Sequence, residues 1–390
     1  MDFCGYGFMK LAEIPAYANS IPMAMAGMVA RGLGLGGPLF EPFPIASGSN
    51  TEMSFFERVI DKVMPAYTVL LDGMDIRELS VSVVQKLVDP AFTAEEAIAN
   101  GRYLFFNTEE HMDFPRPISH KVIYIGGITV AQSSADALPD DYKKIFDNAK
   151  HGVVYVSFGS IARSKFMPEH IKAAFLKTFK AFPEINFIWK YEDPSDDVAK
   201  DLPNVFKMAW VPQKEVLAHP RLLAFVTHGG MNSVLEAALT GVPLLGVPLF
   251  ADQYRNVRML EFRGTSVIIK KNDVTPKKLI AAIHTLTDTD DHRIRAREIA
   301  SLARTKPLNA TQRFISYINH AIAFSNTTDF LDINNRQMST FKYFDLDVYA
   351  FLIGFAIFIV TVIVYALFKV VSLIRSAILR VVFVDQKKTL

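Results

Sequence analysis

Cysteine is almost absent: Cys4 is the only one in 390 residues. The chain can form no intrachain disulfide and no Cys-based zinc cluster, and Cys4 reads as a small buried apolar residue. An excess of charge of one sign is also missing. The 42 basic and 40 acidic residues leave a net charge of +2, which gives no whole-molecule attraction to nucleic acid. An unbroken apolar run at the N-terminus is lacking too, because Pro15, Pro22 and Pro38 interrupt it. That stretch reads as pieces of a domain interior and not as a secretory signal. No repeat of solenoid length is present.

What is there is apolar and aromatic. Half the residues are hydrophobic and 31 are Phe, in a chain long enough for two domains with their own cores. Part of the excess sits in residues 348–368, which carry no charge, are preceded by Asp345 and Asp347 and are followed by Lys369. That length spans a bilayer core, so a transmembrane helix is expected. Residues 54–100 read as largely helical, with Thr93 as a cap before a helix at 94, and 103–107 and 122–127 as strands. The polar, Asp-rich stretch 131–150 reads as a linker. From 151 onward strands (153–158, 187–189, 205–209, 223–227, 244–247, 265–269) alternate with helices (168–182, 213–219, 232–240, 253–263). Such alternation predicts a parallel sheet covered on both faces.

The chemistry concentrates in three pieces: Trp210-Val211-Pro212-Gln213, then His228-Gly229-Gly230-Met231-Asn232-Ser233 up to Glu236, then Pro248-Leu249-Phe250-Ala251-Asp252-Gln253. A strand ending near 227 and a helix starting near 232 leave two glycines and a histidine at a helix N-terminus. Glycine lets a ligand approach the backbone, and free N–H groups with the helix dipole favour a diphosphate there. A carboxylate one turn into the helix, Glu236, suits the hydroxyls of a ribose, and Trp210 offers a flat face to a base. Ligands of such sheets sit beyond the carboxyl ends of the strands. Two Asp-x-Asp pairs, Asp288 with Asp290 and Asp345 with Asp347, read as solvated charge and not as metal ligands. The run Gly32-Leu33-Gly34-Leu35-Gly36-Gly37-Pro38 follows no clear strand and reads as a loop.

Together, in this order and spacing, the three pieces resemble the signature of the UDP-glycosyltransferase family, including the UDP-glucuronosyltransferases. The resemblance covers essentially the whole chain, through Val153 to Ser160 and on to the C-terminal span. It implies an α/β GT-B fold of two Rossmann-like domains, the first incomplete here, plus one C-terminal transmembrane helix. The expected layout is a partial acceptor-side domain over 1–130, a linker over 131–150 and a UDP-sugar domain over 151–325. A juxtamembrane segment over 326–347, the span over 348–368 and a basic cytosolic tail over 369–390 complete it. By resemblance Trp210 stacks on uracil, the Val211 backbone reads its edge, and Gln213 and Glu236 hold the ribose. His228, Gly230, Asn232 and Ser233 surround the diphosphate, Ser160 approaches it, and Asp252 and Gln253 bind sugar hydroxyls. No cofactor and no metal are implied; the donor is UDP-glucuronate or UDP-glucose, and both remain open.

The family's general base is a histidine early in the N-terminal domain, paired with an acidic residue. No histidine precedes His111, which lies in a turn-like stretch, and Asp2 is no firm partner. The resemblance thus implies a chain that begins inside the N-terminal domain, without the base and the signal peptide. Two readings stay open: a transferase conjugating small lipophilic acceptors with inversion, as in detoxification, or a non-catalytic UDP-sugar-binding membrane protein that partners full-length relatives. Homo- or hetero-oligomers fit either. A soluble sugar-nucleotide epimerase is disfavoured by the span. The basic residues after 368 place the tail in the cytosol and the large part in the lumen. Asn309 and Asn326 open glycosylation sequons, and Lys387 and Lys388 stand where a dilysine signal for retrieval to the endoplasmic reticulum would stand.

Overall fold

The computed structural model describes residues 3–22, 33, 55–56, 59, 76–115, 117–130, 134–327, 331–332 and 338–388. Outside these lie Asp2, most of the expected helix over 55–71, most of the glycine run at 32–38 and Thr328 of the second sequon. The chain divides into two compact units, Met1–Ile333 and Asn334–Leu390.

In the first unit, three short parallel strands, β1 (Asn19–Ile21), β2 (Leu104–Phe106) and β3 (Val122–Tyr124), form one sheet in that order. Alternation along β2 decides what covers each face. Leu104 and Phe106 pack with Phe3, Val84 and Ile98, which come from around α1 (Cys4–Leu11), α2 (Ile76–Leu87) and α3 (Ala94–Ala99). Phe105 points the other way, toward Phe314, Tyr317 and Ile318 of a helix far down the chain. Thr93 caps α3 as its sequence position suggested, its side chain accepting the Glu96 N–H at 3.2 Å.

The second sheet has six parallel strands in the order β6-β5-β4-β7-β8-β9, where β4 is Gly152–Ser157, β5 Ile185–Lys190, β6 Val205–Met208, β7 Leu222–Thr227, β8 Leu244–Gly246 and β9 Ser266–Ile268. Its central strands are buried on both faces, which is why they read as continuous apolar runs. Val153 and Tyr155 of β4 enter one core, Val154 and Val156 the other. On the second face lie α5 (Glu169–Ala181) and α9 (Pro276–Thr287), through Phe175, Phe179, Leu279 and Ile283. On the first face lie α4 (Asp140–Asp147), α6 (Gln213–Leu217), α7 (Met231–Thr240) and α8 (Gln253–Phe262). Two further helices follow, α10 (Asp291–Arg304) and α11 (Ala310–Ala323).

Four local expectations are corrected. Cys4, read as buried, is exposed, because the helix it opens buries only Gly7. The stretch 131–150 carries α4, whose Tyr142, Ile145 and Phe146 are buried. Their i, i+3, i+4 spacing makes an apolar stripe that the surrounding aspartates masked. Helix α11, expected with the second sheet, lays its apolar side on the first one. Pro168 sits at the N-cap of α5, one residue outside the helix.

The second unit holds α12 (Thr340–Tyr343) and α13 (Leu346–Lys388), a single 43-residue helix. Its stretch Leu346–Ser376 contains an 18-residue window with a mean hydropathy of 2.8 and is long and apolar enough to cross a membrane. The helix continues without a break through the residues read as a basic tail. At 1.5 Å per residue it is roughly 65 Å long, about twice a bilayer's hydrocarbon core.

Candidate functional site

The carboxyl ends of β4, β6, β7 and β8 deliver the residues singled out from the sequence to one edge of the six-stranded sheet. Beyond β6 comes Trp210, 73% exposed, then Val211, 4% exposed. Among the described residues, the Val211 N–H and carbonyl have no hydrogen-bond partner. A buried residue whose own N–H and carbonyl are both open is suited to read a base edge.

Gln213 opens α6 and faces α7. Its amide nitrogen donates to Glu236 Oε2 at 2.6 Å and to Ser233 Oγ at 3.1 Å, while its oxygen accepts from the Tyr155 hydroxyl at 3.2 Å. The two residues assigned to the ribose thus hold each other. Burial raises the Glu236 carboxyl above its usual range, and the Gln213 hydrogen bond opposes that rise. Burial likewise raises the Tyr155 hydroxyl, keeping it a proton donor.

His228 follows β7 and lies between two glycines. A Cβ on Gly159 would come within 2.8 Å of its Cε1, and one on Gly230 within 2.8 Å of its Nε2. A side chain at either place would displace the imidazole. Burial lowers the His228 pKa, and the nearby Asp252 carboxylate opposes that. The ring is neutral near pH 7 and can donate one N–H. Gly229, with φ +88°, turns the chain into α7, whose N-cap is Gly230 and whose last turn ends at Gly241 in the left-handed region. Asn232 is exposed at the start of α7 and accepts from Asn107 Nδ2 at 3.0 Å, a residue just past β2. Ser160 is exposed in the turn after β4. Lys190 holds that turn, donating to the Gly159 carbonyl at 2.9 Å and to Glu192 at 2.9 Å.

Asp252 stands at the N-cap position of α8 without a side-chain cap bond, and accepts from Asn256 Nδ2 at 2.8 Å. Gln253 is 4% exposed, and its side-chain oxygen accepts the N–H groups of Leu249 and Phe250 at 2.9 and 3.1 Å. Its oxygen shapes the 249–252 loop, which leaves its amide nitrogen for a ligand. Ala251, between them, takes a left-handed φ of +54°.

His111 is brought elsewhere. Its Nδ1 lies 2.8 Å from Glu109 Oε1, and Lys306 donates to Glu109 and Glu110 at 2.6 and 2.5 Å. Lys306 and Arg313 hold the Glu110 carboxyl down at about 2 against the opposing effect of burial, the largest single influence on it. His111 opens onto a cleft of about 410 Å³ with Arg263, Arg295 and Glu298, at the carboxyl end of α8; Asp252 and Gln253 stand at its amino end. The sequence reading missed Tyr142, Tyr155, Asn107, Gly159 and Lys190. Gly159 was legible beside Ser160. The tyrosines looked like ordinary core residues, since only the structure shows where their hydroxyls go.

A family profile described as UDP-glucoronosyl and UDP-glucosyl transferase matches residues 4–382. The "Putative UDP-glucuronosyltransferase ugt-50" of Caenorhabditis elegans is 30% identical over 90% of this chain and 68% of its own length. UDP-glucosyltransferase 2 of Dactylopius coccus is 28% identical over 81% of this chain and 60% of its own. The 2-hydroxyacylsphingosine 1-beta-galactosyltransferase of Homo sapiens is 32% identical over 64% of this chain and 45% of its own. The chain thus spans between about half and two thirds of these relatives. The crystal structure of the glycotransferase of kitacinnamycin matches with a TM-score of 0.53 at 18% identity, covering 68% of this chain and 66% of that one. The fold is α/β of GT-B type, and the chain belongs to the UDP-glucuronosyl and UDP-glucosyl transferase family.

Proposed function

We propose that this chain binds a UDP-sugar at the carboxyl edge of the six-stranded sheet and serves transfer of its glucuronosyl or glucosyl group, with inversion, to a small lipophilic acceptor. The observation that carries the reading is the meeting of Trp210, the open Val211 peptide, the Gln213–Glu236 pair and the His228 imidazole at one sheet edge. Trp210 takes the uracil face, Gln213 and Glu236 the ribose, and His228, Gly230, Asn232, Ser233 and Ser160 the diphosphate. Asp252 and the Gln253 amide nitrogen take sugar hydroxyls. The acceptor oxygen attacks the anomeric carbon, the bond to UDP breaks with its electron pair going to the diphosphate, and the acceptor proton passes to a base. Donors fixed in advance around the leaving diphosphate stabilise the charge that develops there. Neither the donor grip nor the leaving group requires a metal.

One observation favours a second reading, in which the chain holds the nucleotide sugar without transferring it. Among the described residues of the first sheet's side, the histidines are His111, His120 and His320; His111 is committed to Glu109 and a different cleft, and His320 Nδ1 lies 2.9 Å from the Tyr103 hydroxyl. The test is transfer from UDP-glucuronate or UDP-glucose to a phenol by the purified chain in detergent with a chelator present. Formation of a β-linked product supports transfer; tight UDP binding with no product supports the second reading.

We further propose that α13 anchors the protein in the endoplasmic reticulum membrane with the large unit luminal. Asn309 is exposed there, and its side chain caps α11 by accepting the Gln312 N–H at 2.8 Å, which leaves its amide nitrogen for a glycan. Glycosidase sensitivity lost in Asn309→Gln and Asn326→Gln supports that orientation; an unglycosylated large unit open to protease on intact microsomes contradicts it. Lys387→Ser with Lys388→Ser tests retrieval by loss of retention.

A further inference from the structure

Helix α4 reaches the candidate site through one atom. Ile145 and Phe146 anchor it in the core, and the Phe146 ring stacks on His219 with centroids 3.7 Å apart. From that fixed helix the Tyr142 side chain, 8% exposed, donates its hydroxyl hydrogen to the Trp210 carbonyl at 2.7 Å. Residues 209–212 lie between β6 and α6 with no regular structure. Among the described residues, no other hydrogen bond holds the Trp210–Val211 peptide. Burial, with a smaller push from Asp141, raises the Tyr142 pKa, so the hydroxyl keeps its proton.

We propose that Tyr142 is a positioning residue that sets nucleobase specificity, by fixing the Trp210–Val211 peptide, whose N–H is one of the two main-chain groups through which Val211 reads uracil. This rests on the donor-site reading above. Uracil offers an N–H donor beside a carbonyl acceptor, and a main-chain carbonyl and N–H held at fixed angles complement that pair. Cytosine offers an acceptor nitrogen beside an amino donor, the opposite order, and leaves both groups facing like partners. Discrimination of this kind depends on that peptide being unable to turn, because a turned one withdraws the Val211 N–H and presents the Trp210 carbonyl, which can accept from the cytosine amino group. Tyr142 supplies that restraint from outside the site, without touching the nucleotide.

The test is calorimetry on the purified chain in detergent with three probes: UDP, CDP and inorganic pyrophosphate. Tyr142→Phe keeps the ring and removes only the hydroxyl. The expected result is a roughly 3- to 10-fold loss of UDP affinity with a narrower UDP-to-CDP ratio, and unchanged pyrophosphate affinity. Equal weakening of all three probes means a general structural role and overturns the proposal. Wild-type affinities and an unchanged ratio overturn it as well. Trp210→Ala separates the two levels: if wild type binds no UDP, or Trp210→Ala binds it fully, the donor-site reading fails and takes this proposal with it. A normal effect of Trp210→Ala with a silent Tyr142→Phe defeats this proposal alone.

Discussion

Gly159 stands at φ +82°, and a Cβ there would lie 2.8 Å from His228 Cε1 and 3.0 Å from Nε2. Gly159→Ala therefore has two separable effects. A side chain in the left-handed region costs about 1–2 kcal/mol of stability. The new methyl also pushes the imidazole, and the room on the ring's other side is narrow, since even a Cβ on Gly230 would lie 2.8 Å from Nε2. If His228 donates to the diphosphate, displacing it loses a hydrogen bond to a charged group, about 1.5–3 kcal/mol, or roughly 10- to 150-fold in UDP affinity. Gly241→Ala is the matched control: φ is +77° and its Cβ would meet Arg297 Cα at 3.1 Å, at the far end of α7. Thermal unfolding is expected to fall in both variants, and calorimetry to show UDP affinity falling in Gly159→Ala only. Full UDP affinity in Gly159→Ala, or an equal loss in Gly241→Ala, refutes the role given to His228.

Two further outcomes follow from named contacts. Glu236 has a raised pKa before ligand binds, and ribose hydroxyls favour its ionised form, so uridine binding lowers that pKa and releases a proton. Uridine affinity is expected to fall as the pH drops from 7 through the raised pKa toward 4.5, and Glu236→Gln to abolish the slope; a flat wild-type profile argues against ribose binding there. In the unliganded protein the same shift means that ionising Glu236 lowers stability, so its contribution is present at low pH and lost as pH rises through its folded-state value. Phe146 is fully buried, and Phe146→Ala is expected to cost about 3–5 kcal/mol by denaturant titration, whereas a flexible linker would tolerate it.

The six-stranded sheet was legible because its strands are buried on both faces and its helices carry 3.6-residue patterns with clear ends, such as Gly241 after α7. The donor residues were legible because three sequence pieces each follow a strand of that sheet, and parallel strands bring their carboxyl ends together. Long-range pairing was less accessible. Nothing in the local pattern of α11 says that Phe314 and Tyr317 meet Phe105 across more than two hundred residues of chain. Helix α4 was hidden by Asp140, Asp141 and Asp147, which are favourable or neutral at an exposed helix yet give the segment the composition of a loop. The hydroxyl contacts of Tyr142 and Tyr155 depend on tertiary geometry alone.

The central claim is that UDP is held at the carboxyl edge of the six-stranded sheet. Calorimetric titration of UDP into the 390-residue chain in detergent, without metal, tests it most directly, alongside Trp210→Ala and His228→Ala. The account predicts saturable one-to-one binding by the wild type and a loss of about 1–3 kcal/mol in each variant. Absence of binding, or variants that bind as tightly as the wild type, would contradict it.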